Sequence, residues 1–338
     1  MRIRAFCPVC AMVVVFAVVS LAAAPAAGQA GSWEVPRTAD GHPDLQGVWA
    51  NNSVTPLERP EALADTATLT DEELAELKAT ADQLFSLDAG DAAFADQLFL
   101  VALDDPDDFT SSDGGTGNYN QFWLVERDFN NRTSLITDPP NGRLPALTPT
   151  AQARTDRAVA SRGQPARWTQ DRGLSERCIT FGVPSLFAGY NSYYQIVQSR
   201  DHVAIVREMI HDARIIPLDG RPHLAAGVRQ WHGDSRGWWD GDTLVVETTN
   251  YSPKSSFRGA AEHLRVIERF TRVAPDRIEY EITLSDPTMW ARPWTAMVPL
   301  QKSEDTIFEY ACHEGNIGMA GILSGARAEE RAEGTGQQ

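Results

Sequence analysis

The residues best suited to chemistry are concentrated in one short stretch, between positions 211 and 223. His211, Asp212 and Arg214 are followed closely by Arg221 and His223. Imidazoles and carboxylates transfer protons, and guanidinium groups bind an anion or a polarised carbonyl. The spacing therefore predicts catalytic roles for His211, Asp212 and His223, and substrate-binding roles for Arg214 and Arg221. The alternative is a hydrogen-bonded loop between strands, fixed by ion pairs among its own aspartates and arginines.

A single carboxylate interrupts an otherwise apolar strand face. In the segment 263–273, the alternating residues Leu264, Val266 and Phe270 are apolar, and Glu268 lies in the same alternating set. An inward-facing glutamate must be paired, or its pKa must rise because solvent is lost. Glu268 is therefore a candidate general acid or base. The alternative is a buried Glu–Arg pair that supports the core.

His313 and Glu314 form a second candidate pair, directly after Cys312. A disulfide at Cys312 would hold this pair at the end of a strand, where barrel proteins build sites from loops. We therefore predict that both residues are catalytic and that they share one cavity with the first cluster and Glu268. The alternative is that Glu314 and Asn316 cap the helix that follows.

Aromatic residues are frequent in the same part of the chain. Tyr194 and Trp231 are expected to contact a substrate, by stacking against a sugar or an apolar ring. The ordinary alternative is that such residues belong to the core of the fold.

The sequence lacks the motifs that indicate a cofactor. It contains no P-loop, no dinucleotide fingerprint, no nucleophile elbow and no closely spaced metal-ligand motif. His211, Asp212, His223 and His313 could in principle converge on a divalent metal ion, which is the less favoured alternative. We therefore expect chemistry without a cofactor.

Short strands and tight turns must position these residues. Between Tyr193 and His313, β-rich runs alternate with turn signals such as Asp240-Gly241-Asp242 and Ala274-Pro275-Asp276, and Thr306–Cys312 is the last expected strand. These turns supply the backbone angles of a hairpin. We therefore expect a mainly β fold, an antiparallel up-and-down β-barrel or curled sheet, because closing a sheet removes its exposed edges.

The chain is expected to have four parts. Residues 1–30 form a signal peptide, because Arg2 and Arg4 precede an apolar stretch and small residues. Residues 31–190 form an accessory region of helices and loops, including helices that begin at Thr70 and Thr148. Residues 191–332 form the barrel domain with a closing helix, and 333–338 a polar tail. The protein is therefore expected to be exported, to the periplasm or beyond, with no transmembrane segment in the mature chain.

The net charge limits the kinds of partner that the sequence predicts. The formal net charge is −16 and the basic residues are scattered, so nucleic acid is not an expected partner. A small-molecule ligand or substrate remains the expected partner, and the sequence does not indicate an oligomeric state.

Cys178 and Cys312 are the cysteines left after the signal peptide, and export of the chain predicts that they form a disulfide. The alternative is two buried free thiols.

Several phrases resemble those of a group of exported bacterial proteins, most of them described only as hypothetical. These phrases are Arg37–Gly41, Thr55–Pro60, Asn131–Leu135, Glu208–Arg214, Gly233–Gly237, Glu247–Asn250 and Tyr310–Asn316. In addition, Gly47-Val48-Trp49 resembles the Gly-x-Trp opening of lipocalin-like (calycin-type) barrels, although it lies far ahead of the main run of strands. The resemblance implies export and a lipocalin-like barrel, and it brings no established activity.

Two functions follow from these observations. The first is an exported enzyme, a lyase, isomerase or hydrolase that acts on a small molecule by cofactor-independent acid/base chemistry. The second is a lipocalin-like small-molecule binding or carrier protein of the periplasm, in which the same polar groups fix the mouth of the barrel. A solvent-reachable pocket shared by a carboxylate and an imidazole would favour the enzyme.

Overall fold

The computed structural model describes residues 33–84, 96–104, 127–160, 164–186, 188–255 and 257–335. The signal peptide expected at residues 1–30 lies outside these ranges. The strands are β1 (Gly47–Ala50), β2 (Ile136–Asp138), β3 (Tyr193–Gln198), β4 (His202–Arg207), β5 (Ala213–Pro217), β6 (Asp234–Asp240), β7 (Thr243–Thr249), β8 (Arg265–Ala274), β9 (Arg277–Ser285) and β10 (Trp294–Ser303). The helices are α1 (Asp71–Leu84), α2 (Asp96–Asp104), α3 (Pro149–Ala160) and α4 (Ile317–Thr335).

These ten strands form one antiparallel sheet, so the expected mainly β fold is confirmed. The strand order is β5-β4-β3-β1-β10-β9-β8-β7-β6, and β2 pairs with β10 off this path. The sheet is not closed: within the described residues, no backbone ladder joins β5 to β6. The expectation of a closed up-and-down barrel is therefore not met, and β5 and β6 remain as edges.

Most of the hairpins lie where the turn residues of the sequence predicted them. The turns at 199–201, 241–242 and 275–276 join β3 to β4, β6 to β7 and β8 to β9. The strand expected at Thr306–Cys312 is wrong, because these residues leave the sheet after β10. The reason is spatial: β9 occupies one side of β10, while β1 and β2 occupy the other, so a following strand cannot form a hairpin with β10.

The N-terminal half contributes directly to the sheet. β1 lies between β3 and β10, with Trp49 opposite Tyr194 on one side and Lys302 on the other. The Trp49 side chain is fully buried, and its indole nitrogen donates to the Leu45 carbonyl at 2.8 Å. A domain boundary near residue 190 therefore does not separate the sheet from the rest of the chain, since β1 and β2 both precede it.

The helices begin where their capping residues predicted. The Glu73 carboxylate accepts from the Thr70 amide at 2.7 Å, and the Glu73 amide donates to the Thr70 hydroxyl at 3.2 Å, which is a capping box. Thr148 accepts from the Ala151 amide at 3.1 Å in the same way at α3. The closing helix α4 continues to Thr335, into the expected polar tail. None of the helices in the described ranges is long and apolar enough to span a bilayer.

Two hydrophobic clusters hold these elements together. The larger cluster lies on the inner face of the curled sheet and includes the fully buried Trp49, Phe270 and Trp294. The smaller one joins α1 and α2 to the chain after β1, through Leu77, Phe99 and neighbouring residues. The candidate site residues are therefore carried mainly by the sheet and its connections.

The two edges of the sheet meet through side chains instead of backbone hydrogen bonds. Gly237 of β6 is buried, and a Cβ atom built on it would lie 2.7 Å from Leu218 Cδ2 and 2.9 Å from Ile216 Cγ2. A side chain at this position would overlap those atoms, so glycine is required by the close approach. We call this line of contact between β5 and β6 the seam.

We expect Gly237→Ala to lower the free energy of unfolding by about 1–3 kcal/mol, because the added methyl group overpacks the seam. Gly227→Ala is the matched control, since a Cβ atom there has no heavy atom within 4 Å and the backbone φ is not positive. Urea unfolding of both variants measures the effect. Equal stability of the two would show that Leu218 and Ile216 do not fill the seam.

Candidate functional site

A cavity of about 520 Å³ lies between the segment 170–183, which precedes β3, and the segment 251–264, which joins β7 to β8. Trp231, in the connection between β5 and β6, completes its lining. Its main apolar lining residues are Leu174, Phe181, Val183, Trp231, Phe257 and Leu264. The volume is within the range of small-molecule sites, which are mostly apolar with a few polar groups.

The charge of this lining contrasts with the charge of the chain. Arg172, Arg177 and Lys254 line the cavity, and no aspartate or glutamate is among its described lining residues. Arg172 forms an ion pair with Glu176, which does not line the cavity. Arg177 and Lys254 have no acidic partner among the described residues. A protein with a formal net charge of −16 therefore presents a positive, partly apolar cavity.

Asp212 holds one wall of the cavity in place. Its Oδ2 accepts from the Thr180 hydroxyl and from the Phe181 amide, both at 2.9 Å, and its Oδ1 lies 3.0 Å from Nε2 of His232. Burial alone would raise the pKa of Asp212, but the hydrogen bonds and charge of His232, with those from Phe181 and Thr180, lower it. Asp212 is therefore held as an anion that fastens the segment carrying Thr180 and Phe181.

The contact of Thr180, His232 and Asp212 differs from a catalytic triad. Nε2 of His232 is 2.7 Å from the Thr180 hydroxyl and 3.0 Å from Asp212, so one ring nitrogen faces both partners. In a hydroxyl–histidine–carboxylate triad, the two ring nitrogens bind the two partners separately. The Thr180 oxygen also accepts from the Gly182 amide at 2.8 Å. This geometry fixes the wall and does not prepare Thr180 as a nucleophile.

Arg207 and the disulfide complete the support of the same wall. The Arg207 guanidinium donates to the Gly182 carbonyl at 2.7 Å and lies 5.4 Å from the centre of the Phe181 ring, a cation–π distance. Cys178 is bonded to Cys312, with their Cα atoms 5.7 Å apart. The predicted disulfide is confirmed, and it joins the cavity wall to the segment before α4.

Glu268 lies inward as predicted, but it is paired. It is fully buried, and its two oxygens accept from Arg214 at 2.6 and 2.9 Å in a bidentate ion pair. The Tyr280 hydroxyl donates to Glu268 Oε1 at 2.5 Å. Burial and the Glu268 charge raise the pKa of Tyr280 well above its ordinary value, so the phenol stays protonated. The structure therefore matches the alternative of a Glu–Arg core pair, and neither Glu268 nor Arg214 lines the cavity.

Glu208 directly follows β4 and is also buried, and its Oε1 accepts from the Phe308 amide at 2.9 Å. The carboxylate therefore holds the segment that follows β10.

Four further candidate catalytic or substrate-binding residues do not line the cavity. His223 Nδ1 is 2.9 Å from Asp234, and Arg221 pairs with Asp219 at the surface, where its hydrogen bond lowers the pKa of Asp219 to about 2. The rings of His211 and His313 are exposed and 6.4 Å apart, and Nδ1 of His211 is 3.2 Å from the Tyr310 carbonyl oxygen. Of the ion pairs in the loop alternative, the one between Asp219 and Arg221 is present, whereas Arg214 pairs with Glu268 and not with Asp212.

The last three candidates differ in exposure. Glu314 is exposed, and the Asn316 side chain accepts from the Met319 amide at 3.3 Å, as the capping alternative proposed. The Tyr194 side chain is buried, and its hydroxyl donates to the Ser185 carbonyl at 3.2 Å. Trp231 is the one predicted site residue that lines the cavity of about 520 Å³.

The predicted residues thus form separate groups instead of surrounding one cavity. Asp212 supports the cavity wall, Arg214 and Glu268 lie in the core, His223 and Arg221 lie in the β5–β6 connection, and His211 and His313 lie together at the surface. Among the described residues, no three His, Cys, Asp or Glu side chains are grouped so that they could hold a metal ion. Their catalytic roles stay predictions.

Sequence reasoning missed several residues of the cavity. They are Arg172, Arg177, Thr180 and Lys254, which line the cavity, and His232, which contacts Thr180 in its wall. Two signals pointed to them: Arg177 and Thr180 flank the predicted disulfide position Cys178, and Lys254 is one of the few lysines in the chain. Neither signal states that these residues face a common space.

No protein-family model matches this chain, and no curated protein is significantly similar to it. The resemblance to exported hypothetical proteins and to lipocalin-like barrels therefore stays a prediction.

We expect Glu268→Gln to lower the free energy of unfolding by about 3–5 kcal/mol, because it leaves the buried Arg214 charge unpaired. Asp138→Asn is the matched control, since it makes the same chemical change in the half-exposed pair with Arg292 and should cost less than about 1 kcal/mol. Replacing both Arg214 and Glu268 by Met should recover most of the loss. Urea unfolding measures all three, and a Glu268→Gln protein as stable as the control would contradict the structural role.

We expect the stabilising effect of Asp212 to disappear in acid. Because its folded-state pKa is lowered, it contributes stability above its unfolded pKa of about 3.9, and this is lost as the pH falls through the folded value. Asp212→Asn should therefore be less stable than the parent by about 1–3 kcal/mol at pH 7, with a smaller difference near pH 3. Unfolding measured at both pH values tests this; a difference independent of pH would argue against it.

Proposed function

We propose that this protein is an exported small-molecule binding or carrier protein whose ligand is an organic anion. One observation carries the proposal: a cavity of about 520 Å³ lined by Arg172, Arg177 and Lys254, with no carboxylate among its described lining residues, in a strongly acidic chain. Arg177 and Lys254 have no acidic partner among the described residues, and such cations in a concave, partly apolar site favour a ligand that brings the missing negative charge.

The apolar part of the lining favours an organic ligand over an inorganic anion. Trp231, Phe181 and Phe257 provide ring faces, and Leu174 and Leu264 provide aliphatic surface. Burial of a carbon skeleton against these side chains supplies affinity, while the cations orient the acidic group. A small carboxylate with an apolar body combines both properties.

Binding is favoured over acid/base catalysis by the state of the polar groups. Glu268 is neutralised by Arg214 and bonded to Tyr280, and Asp212 has its oxygens committed to Thr180, Phe181 and His232. A general base needs a free lone pair within reach of its substrate. The enzyme hypothesis stays a prediction, and the carrier reading of the lipocalin-like resemblance fits these contacts better.

We expect the purified full chain to bind hexanoate and benzoate in preference to their neutral amides, measured by isothermal titration calorimetry. The double variant Arg177→Gln/Lys254→Gln should weaken binding of the acids by about tenfold, because two charge-assisted contacts are lost. Lys78→Gln is the control: Lys78 is exposed on α1 and remote from the cavity lining. Equal affinity for acids and amides, or no binding of either, would contradict the proposal.

A further inference from the structure

A second cavity of about 300 Å³ adjoins the first. Phe181 and Phe257 line both cavities, so their side chains form part of the partition between them. The second cavity extends toward the start of α2 and the chain after β1, and its apolar lining residues are Leu57, Leu135, Phe181, Pro184, Leu186, Ala188 and Phe257.

Two hydroxyl groups that line the second cavity are already engaged. The Ser53 hydroxyl accepts from the Thr55 amide at 3.2 Å, and the Thr55 hydroxyl accepts from the Asn130 side chain at 3.0 Å. Asp96 and Arg258 also line the second cavity, where burial raises the pKa of Asp96 although the charge of Arg258 opposes this shift. The engaged hydroxyl groups and the apolar side chains that form most of the lining favour an apolar ligand group over a polar one.

The partition has a different support on each side. Phe181 is held by the Asp212 and Arg207 contacts of the cavity wall. Phe257 packs against Trp294 of the sheet, with ring centres 6.5 Å apart. The two aromatic residues that line both cavities are contributed by segments far apart in the sequence, and within the described residues no backbone ladder joins these segments.

We infer that the two cavities hold one elongated ligand, an organic acid with a long apolar tail. The acidic group lies beside Arg177 and Lys254 in the first cavity, and the tail passes Phe181 and Phe257 into the second. This inference rests on the proposed function and adds the length and the orientation of the ligand. Each methylene buried in the second cavity adds about fourfold in affinity.

Titration calorimetry with hexanoate and decanoate tests the inference on the full chain. Decanoate is expected to bind the parent protein more tightly than hexanoate, by about tenfold or more, because its additional methylenes enter the second cavity. Leu186→Trp fills that cavity and should bring decanoate down to the affinity of hexanoate, with hexanoate unchanged. Leu224→Trp, at an exposed position outside both cavities, is the matched control and should leave both affinities unchanged.

The outcomes separate the two claims. Equal affinities for hexanoate and decanoate in the parent, or an equal loss of both in Leu186→Trp, would overturn the two-cavity ligand and leave anion binding intact. No binding of either acid to the parent would contradict the proposed function itself. Decanoate binding that is sensitive to Leu186→Trp and also to Arg177→Gln/Lys254→Gln supports both claims.

Discussion

The structure depends on one buried ion pair, between Arg214 of β5 and Glu268 of β8. The backbone ladder ends at β5 and at β6, so hydrogen bonds alone leave the curled sheet open. Arg214 lies on one edge strand and reaches across the interior to Glu268, two strands in from the other edge. The cost of burying both charges is offset by the bidentate geometry and the Tyr280 hydrogen bond. The pair thus links β5 to β8 across the interior, in addition to the side-chain contacts of the seam between β5 and β6.

The same pair accounts for the position of the cavity. Glu268, Tyr280, Phe270 and Trp49 are fully buried and fill the space that the sheet encloses. Open volume lies instead among the connections, where the segment 170–183 faces the segment 251–264. Residues capable of acid/base chemistry, such as Glu268 and Asp212, are held by ion pairs and hydrogen bonds within this framework. The cavity is lined by cations and aromatic rings. The residues that could perform acid/base catalysis are therefore different from the residues that line the cavity.

Local signals in the sequence were sufficient for much of the fold. Turn residues predicted the hairpins, and Thr70 and Thr148 predicted where two helices begin. Hairpin turns and helix caps depend on contacts within a few residues. Period-two alternation also gave the inward direction of Glu268. Its partner Arg214 could not be identified, because that contact depends on the order of strands from distant parts of the chain. The cavity residues Arg177 and Lys254 were missed for the same reason, since no local pattern brings segments 170–183 and 251–264 together.

The insertion of β1 between β3 and β10 has a consequence for how the chain acquires its structure. β1 is synthesised well before its partner β10, which ends at Ser303 and is the last strand among the described residues. Until β10 has been synthesised, one edge of β1 has no strand to pair with, and the core that buries Trp49 is incomplete. The sheet is therefore completed only after β10 has been synthesised, and a chain that stops before β10 leaves one edge of β1 unpaired and able to associate with other chains.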